Sequence, residues 1–194
     1  MAKFSGCAKT AATKELTQLH NMETYVPMDP DKMTPQQRSE ALNSLMFLVE
    51  KRDGRIKSRA CAGGSAQRRR LGYKKEDSAS PTVSTEAVFI TAAIEAHENR
   101  KVACFNITGA FLYADCKDEN TFMLLRGQLA EVMVLMDSKL YCEYVRYSPS
   151  GQAMLFVRMT KALYGMLKSA LWFHRKLRDG LIEQGFELSV EPQG

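Results

Sequence analysis

The chain has 194 residues, 45% of them hydrophobic and 25% charged, which is the composition of an ordinary globular protein of one or two domains. Its five cysteines are odd in number and lack CxxC spacing, which argues against a disulfide framework and a zinc site and favours a reducing compartment inside the cell. No apolar run approaches the roughly 20 residues of a membrane-spanning helix, so we expect a soluble chain without a membrane partner.

The N-terminal part of the chain contains one clear helix signal. Residues 1–33 show little periodicity and contain prolines and aspartates, so we predict an irregular lead-in there. Thr34 is a candidate helix N-cap, Pro35 suits the first helical position, and Gln37 completes a capping box. The apolar residues that follow predict that this helix packs into a core and continues to about Glu50.

Residues 55–61 alternate long basic side chains with smaller or apolar ones. If they form a strand, Arg55, Lys57 and Arg59 share one face, because alternate residues of a strand point to the same side. Two glycines then introduce a flexible loop. This loop contains the basic run Arg68, Arg69 and Arg70.

The second half of the chain predicts further strands and helices. Residues 84–97 indicate a strongly apolar, buried helix with Ser84 as its N-cap. Residues 101–107 are apolar and prone to β-structure, so they predict a central strand, and we look for chemistry at its tip. Strands are also predicted over 121–125 and 155–159, and a final helix from residue 166 to about residue 184.

Basic residues are concentrated in two stretches. Residues 51–75 contain ten lysines or arginines and a single acid, and residues 158–178 contain six bases and no acid. A single charge run can be a solvated loop, but two separated stretches can line one groove for phosphate groups. Nucleic acid is therefore the leading class of partner.

Three segments carry a more specific signal than the general mixture of helices, strands and basic loops. They are, in chain order, residues 57–64 (KSRACAGG), 105–112 (FNITGAFL) and 161–166 (KALYGM). In their order and separation they resemble the fingers motif, polymerase motif A and polymerase motif B of copia-type retrotransposon reverse transcriptases. The resemblance covers residues 34–186, which is most of the chain.

The resemblance implies an α+β fold: the fingers and an incomplete palm of a right-hand polymerase over residues 34–186, followed by a truncated tail over residues 187–194. The activity of that family is RNA-directed DNA synthesis, with Mg²⁺ as its cofactor. An RNA or DNA template–primer and deoxynucleoside triphosphates are the partners that the resemblance implies.

The resemblance also assigns roles to individual residues. Lys57 and Arg59 match positions that contact the triphosphate of the incoming nucleotide, although both could simply be solvated surface residues. Phe111 matches the aromatic residue that excludes ribonucleotides, or it is an ordinary buried phenylalanine. Gly165 matches the motif B glycine that lets the template and the nascent pair approach the backbone. The nucleic-acid contacts expected in addition are Arg68, Arg69, Arg70 and Lys168.

Asn106 departs from the family pattern, because motif A has its first catalytic aspartate at this position. In the family that aspartate and two later ones hold two Mg²⁺ ions, whereas an amide offers one neutral oxygen, so we expect no productive metal binding. Asp115 is a poor substitute because it lies nine residues downstream, beyond Gly109. The Asp-Asp pair of the family is absent from these 194 residues, so we expect a catalytically inactive fragment.

Two other interpretations stay open. The chain could be a non-enzymatic, nucleic-acid-binding remnant of a retroelement that keeps a basic groove without a metal site, or a fragment with no function. Smaller departures from the family pattern lie at residues 63–66 and 168–170, where the resemblance implies nucleotide and template contacts. Without the Asp-Asp hairpin we expect an exposed apolar surface and an unpaired sheet edge, which would pair with the missing palm segment or make the chain oligomerise.

Overall fold

The computed structural model describes residues 6–65, 78 and 80–187. In chain order its helices and strands are α1 (Gly6–Asn21), β1 (Tyr25–Met28), α2 (Pro35–Glu40), β2 (Leu42–Glu50), β3 (Ile56–Ala62), α3 (Thr85–His97), β4 (Phe122–Arg126), α4 (Gln128–Met136), α5 (Ser138–Tyr141), β5 (Arg146–Tyr147), β6 (Ala153–Met159) and α6 (Ser169–Glu183). Short 3-10 helices occupy Pro30–Lys32, Ala110–Tyr113 and Cys142–Tyr144. The described part of the chain therefore mixes helices with strands.

The described strands form one six-stranded sheet in the order β1-β6-β4-β2-β3, with β5 also paired to β6. All neighbours are antiparallel except β2 and β4, which are parallel and paired only at Leu42 and Asn43. Residues 122–125 of β4 are buried consecutively, as expected for a strand that is covered on both faces. In this order β3, which contains Lys57 and Arg59, is an edge strand.

Two hydrophobic clusters lie on the two faces of the sheet, because alternate side chains of β4 point in opposite directions. The larger cluster contains Met123 and Leu125 together with Leu16 and Leu19 of α1. The smaller cluster contains Phe122 and Leu124 and is completed by Met33 and Phe156. Burial of apolar side chains on both faces is the main force that holds the central strands in place.

The prediction of an irregular lead-in over residues 1–33 was wrong for its described part. It contains α1, whose buried residues Ala8, Leu16 and Leu19 lie at helical spacing, and β1, which pairs with β6. The periodic signal in α1 is weak because these are its only buried residues. Contacts with distant strands therefore determine the structure of this segment.

The predicted helix from Thr34 to Glu50 was correct only at its start. The capping box is present, with the Gln37 amide donating to Thr34 Oγ1 at 3.1 Å and the Thr34 amide donating to the Gln37 side chain at 2.9 Å. The helix ends at Glu40, and β2 follows and pairs with β3 from Ser44 to Glu50. Pairing with β3, the next strand of the chain, has outweighed the local helical pattern.

The predicted helix over residues 84–97 is confirmed, and the Ala87 amide donates to its N-cap Ser84 at 3.1 Å. Its predicted burial was wrong, since none of the residues of α3 is buried. The predicted central strand over 101–107 was also wrong, because these residues belong to no strand and Phe105 is 81% exposed. Within the described ranges no other element covers α3, and no strand pairs with residues 101–107. Helix α3 therefore forms with a local N-cap but without burial in a core.

The predicted strands over 121–125 and 155–159 are confirmed as β4 and β6, and the final helix is confirmed as α6. Trp172 of α6 is buried, whereas Leu177 and Leu181 of the same helix are 37% and 38% exposed. None of the helices in the described segments is long and apolar enough to span a bilayer.

Candidate functional site

Lys57 and Arg59 form an exposed basic row on β3. Ser58 and Ala60, which alternate with them, are buried, so the two basic side chains share the outer face, as the sequence predicted. Directly opposite on β2, Val49 pairs with Lys57 and Phe47 pairs with Arg59. The outer face of this hairpin therefore combines cations with exposed apolar side chains.

The free edge of β3 is anchored at two backbone amides. The Ala60 amide donates to Glu15 Oε1 of α1 at 3.0 Å, and the Ala62 amide donates to Tyr164 O at 2.7 Å. The Ala60 amide directly follows Arg59, and the Ala62 amide lies two residues further along the strand. The two hydrogen bonds therefore hold the basic row in a fixed position relative to α1 and to residues 162–166. The contact of Glu15 with β3 had no signal in the sequence.

Two glycines allow the backbone of β3 to touch residues 162–166. A Cβ atom on Gly64 would lie 1.9 Å from Gly165 O, and a Cβ atom on Gly165 would lie 2.0 Å from Ala62 O. Gly165 also has φ +88°, a left-handed conformation that other residues rarely adopt. The close approach expected at Gly165 is therefore made to the end of β3, while its contact with a template stays a prediction.

An aromatic column, defined as Tyr164, Phe111 and Phe173, lies beside the basic row. The Arg59 guanidinium carbon is 4.3 Å from the centroid of the Tyr164 ring, within the range of a cation–π interaction. The Tyr164 and Phe111 ring centroids are 4.7 Å apart, and those of Phe111 and Phe173 are 6.1 Å apart. Phe111 is half-buried in this column, and its role in excluding ribonucleotides stays a prediction.

The sequence did not indicate the contact between Tyr164 and Arg59. The two residues are about a hundred positions apart, so periodicity cannot reveal the contact. The available signal was the position of Tyr164 directly before Gly165, in the third of the three segments. The structure thus brings together Arg59, Phe111, Tyr164 and Gly165, one or two residues from each of the three segments.

Asp115 is held by a lysine. Lys161 Nζ donates to Asp115 Oδ1 at 2.6 Å, and the two residues form an isolated antiparallel bridge. The hydrogen bond from Lys161 holds the pKa of the Asp115 carboxyl below its usual value, and the positive charges of Lys161, Lys176 and Lys117 lower this pKa further. At neutral pH the carboxylate is therefore ionised and already engaged.

The described residues do not fit a pair of Mg²⁺ ions. Asn106 is exposed, belongs to no helix or strand, and offers one neutral oxygen. The Asp115 carboxylate is bound to Lys161. In residues 6–65, 78 and 80–187 there is no group of three or more His, Cys, Asp or Glu side chains that could hold a metal ion. No chemical step through Mg²⁺ is derived for these residues.

The remaining expected contacts lie at the margins of the site. Lys168 is half-buried directly before α6, and its carbonyl accepts a hydrogen bond from the Trp172 amide at 2.9 Å. The other three expected nucleic-acid contacts, Arg68, Arg69 and Arg70, fall outside the described residues. Phosphate contacts by all four stay predictions.

Comparison with known proteins finds Gag-Pol polyproteins of yeast transposons among the relatives of this chain. The chain is 28% identical over 175 residues to the transposon Ty1-NL2 Gag-Pol polyprotein of Saccharomyces cerevisiae, an alignment that covers 88% of this chain and 8% of the relative. It is 27% identical to the Ty1-BL Gag-Pol polyprotein, with the same coverage, and 26% identical to the truncated Ty1-A Gag-Pol polyprotein of the same yeast, of which it covers 12%. No family model and no solved structure matches the chain. These similarities support an origin in a copia-type retrotransposon, and the chain spans only a small part of the polyproteins that it resembles.

Proposed function

We propose that this chain is the fingers and part of the palm of a retrotransposon reverse transcriptase, and that it binds nucleotide and nucleic-acid phosphates without polymerising DNA. Lys57 and Arg59 bind the triphosphate of a nucleotide. The surface around Tyr164 and Gly165 receives the nucleic acid. RNA-directed DNA synthesis is the activity from which this binding function derives.

The convergence of the three motifs supports this function most directly. Arg59, Phe111 and Tyr164 lie far apart in the chain, yet the cation–π contact and the ring contact join them in one place. A guanidinium held over a ring by a cation–π contact does not use its N–H donors in that contact, so they can still reach phosphate oxygens. The exposed Lys57 adds a second positive charge on the same face.

The lack of polymerase activity is proposed from the chemistry of Asn106. Two-metal phosphoryl transfer requires several anionic oxygens, which hold the cations close together and neutralise the charge that develops on the reacting groups. A neutral amide at the motif A position removes one of these charges. The rate is then expected to fall by orders of magnitude, because a catalytic metal supplies several kcal/mol of stabilisation.

Binding of a deoxynucleoside triphosphate, measured by isothermal titration calorimetry, tests the proposed binding site. We expect Arg59→Gln to weaken binding by roughly 10-fold or more, because a charged hydrogen bond to phosphate is lost. Arg55→Gln is the matched control, since Arg55 belongs to the same hairpin but is paired with Asp53 at 2.6 Å. Equal affinities for the two variants would contradict the assignment of Arg59.

Primer extension on a primed RNA template tests the proposed inactivity. We expect no extension by the unaltered chain and none by Asn106→Asp, since a single carboxylate does not restore a two-metal site. A polymerase of known activity serves as the positive control for template and buffer. Extension by the unaltered chain would show that it is an enzyme.

A non-enzymatic binding remnant is the alternative function, and it predicts nucleic-acid binding without selective binding of triphosphates. We further propose that α3 and residues 101–107 are covered by a partner, because a helix that is apolar on all sides is normally buried. Val88, Phe89 and Ile90 are each at least 50% exposed. A palm segment of a reverse transcriptase or a second copy of the chain would cover this surface, and pairing through a sheet edge is a further way to oligomerise.

A further inference from the structure

A basic cluster that the proposed nucleotide contacts do not use lies around Asp115. Lys161 donates to the Asp115 carboxylate at 2.6 Å. The backbone at the pair is fixed, since the Ala162 amide donates to Ala114 O at 2.8 Å beside the bridge. The Asp115 side chain is 59% exposed, so other molecules can reach the carboxylate and the lysine that holds it.

Two more lysines act on the same carboxylate. Lys117 lies two residues further along the chain, Lys176 lies on α6, and the positive charge of each lowers the pKa of Asp115. Both lysines are exposed. Lys176 follows Phe173 by one helical turn and so lies next to the aromatic column. The Asp115 cluster, defined as Asp115, Lys117, Lys161 and Lys176, therefore contains three positive charges and one negative charge.

Two further charged groups, one of each sign, act on the residue next to Asp115. Arg158 and Asp118 both act on the thiol of Cys116, the neighbour of Asp115, so they contribute one charge of each sign. Two positive charges remain in excess. An exposed cationic cluster of this kind attracts a polyanion, and binding strengthens when counterions are released.

We propose that the Asp115 cluster is a contact site for the phosphate groups of a nucleic acid, and that the Asp115 carboxylate occupies Lys161 until a phosphate displaces it. This site rests on the nucleic-acid binding proposed above and adds a second contact to the one at Lys57 and Arg59. Because an exposed ion pair is held only weakly in water, a phosphate can replace the carboxylate at little cost.

Fluorescence anisotropy of a labelled single-stranded DNA, titrated at several salt concentrations, tests this site. We expect Asp115→Asn to bind more tightly than the unaltered chain, by roughly 3- to 10-fold at low salt, because Lys161 becomes available and a repelling charge is lost. We expect Lys176→Gln to bind more weakly, with the slope of log affinity against log salt shallower by about 0.7. Lys161→Gln is expected to weaken binding as well.

Two variants with the same charge changes serve as controls, Glu131→Gln on α4 and Lys139→Gln on α5, both at exposed positions. They report the effect of net charge alone. If Asp115→Asn binds no more tightly than Glu131→Gln, or Lys176→Gln no more weakly than Lys139→Gln, the Asp115 cluster is not a phosphate contact. If the unaltered chain shows no salt-dependent binding, the proposed function itself fails. Melting curves of all variants confirm that each is folded.

Discussion

Gly165 shows how a single residue determines the geometry of the candidate site. Its missing side chain lets residues 162–166 lie against the end of β3, where the Ala62 amide reaches Tyr164 O. That contact places the Tyr164 ring under the Arg59 guanidinium. The position of Arg59, the proposed phosphate-binding donor, therefore depends on a backbone contact that only glycine permits.

Replacing Gly165 with alanine should destabilise the fold by about 2–4 kcal/mol, because the new Cβ would meet Ala62 O at 2.0 Å in a left-handed conformation. Urea unfolding followed by circular dichroism measures this change. Gly151→Ala is the matched control, since Gly151 also has a positive φ, +76°, but a Cβ atom at Gly151 would meet no other atom within 4 Å. Equal losses for the two variants would show that the contact with β3 is unimportant.

The Asp115 carboxyl should make a pH-dependent contribution to stability. Its pKa is lower in the folded chain than the ordinary value of 3.8, so the contribution is present above that value and is lost as the pH falls through the folded pKa. Near neutral pH we expect Asp115→Asn to cost under about 1 kcal/mol, because the pair is exposed. The difference in unfolding free energy between Asp115→Asn and the unaltered chain should shrink as the pH falls below about 4. A difference in unfolding free energy that stays unchanged in acid would show that it does not come from the ionised Asp115 carboxylate.

Among the elements, β3 is the strand on which the candidate site depends. Two backbone amides at its free edge donate hydrogen bonds to groups outside the sheet. An edge strand normally presents unpaired amides that invite pairing with other chains. Here Glu15 accepts from the Ala60 amide and Tyr164 O accepts from the Ala62 amide. Helix α1 therefore both covers the core and closes part of this edge.

Glu15→Ala should speed hydrogen exchange at the Ala60 amide while leaving the Ala62 amide protected, because only the first loses its acceptor. Glu15→Gln keeps an acceptor oxygen and should restore protection at Ala60. Exchange measured by NMR at the two amides distinguishes these outcomes. Faster exchange at both amides in Glu15→Ala would indicate general loosening of β3 instead of loss of one hydrogen bond.

The elements that could be predicted from sequence are those with strong local signals. The capping box at Thr34, the N-cap at Ser84 and the alternation around Arg59 each depend on neighbouring residues and were predicted correctly. Strand β2 and helix α1 could not be predicted. Pairing with β3 determines the structure of β2, and packing on the sheet determines that of α1. The contacts of Arg59 with Tyr164 and of Glu15 with β3 join distant segments, and no local pattern encodes them.

At the scale of the whole molecule, the described chain has a well-packed sheet and an uncovered apolar region. The two clusters on the faces of β4 form the core. By contrast α3 has no buried residue, and Phe89 and Phe105 are 70% and 81% exposed. Exposed apolar patches of this kind mark sites of association. A retrotransposon origin accounts for such a surface naturally, since the relatives are much longer polyproteins.

Phe89→Ser should reduce self-association of the purified chain without unfolding it, because the side chain contributes apolar surface but no described core contact. Sedimentation velocity at increasing protein concentration measures the association. Thr91→Ser, on the same helix, keeps a polar residue and should behave as the unaltered chain. Unchanged association in Phe89→Ser would place the contact elsewhere, for example at a sheet edge.

The salt dependence of affinity for a primer–template duplex tests whether the surface formed by the basic row and the aromatic column binds nucleic-acid phosphates as well as the triphosphate of a nucleotide. We predict that the affinity of the unaltered chain falls by at least roughly 10-fold between about 50 mM and about 200 mM salt. Arg59→Gln should bind more weakly and with a shallower salt dependence. An affinity that is independent of salt, or the same in Arg59→Gln as in the unaltered chain, would show that this surface does not bind nucleic-acid phosphates.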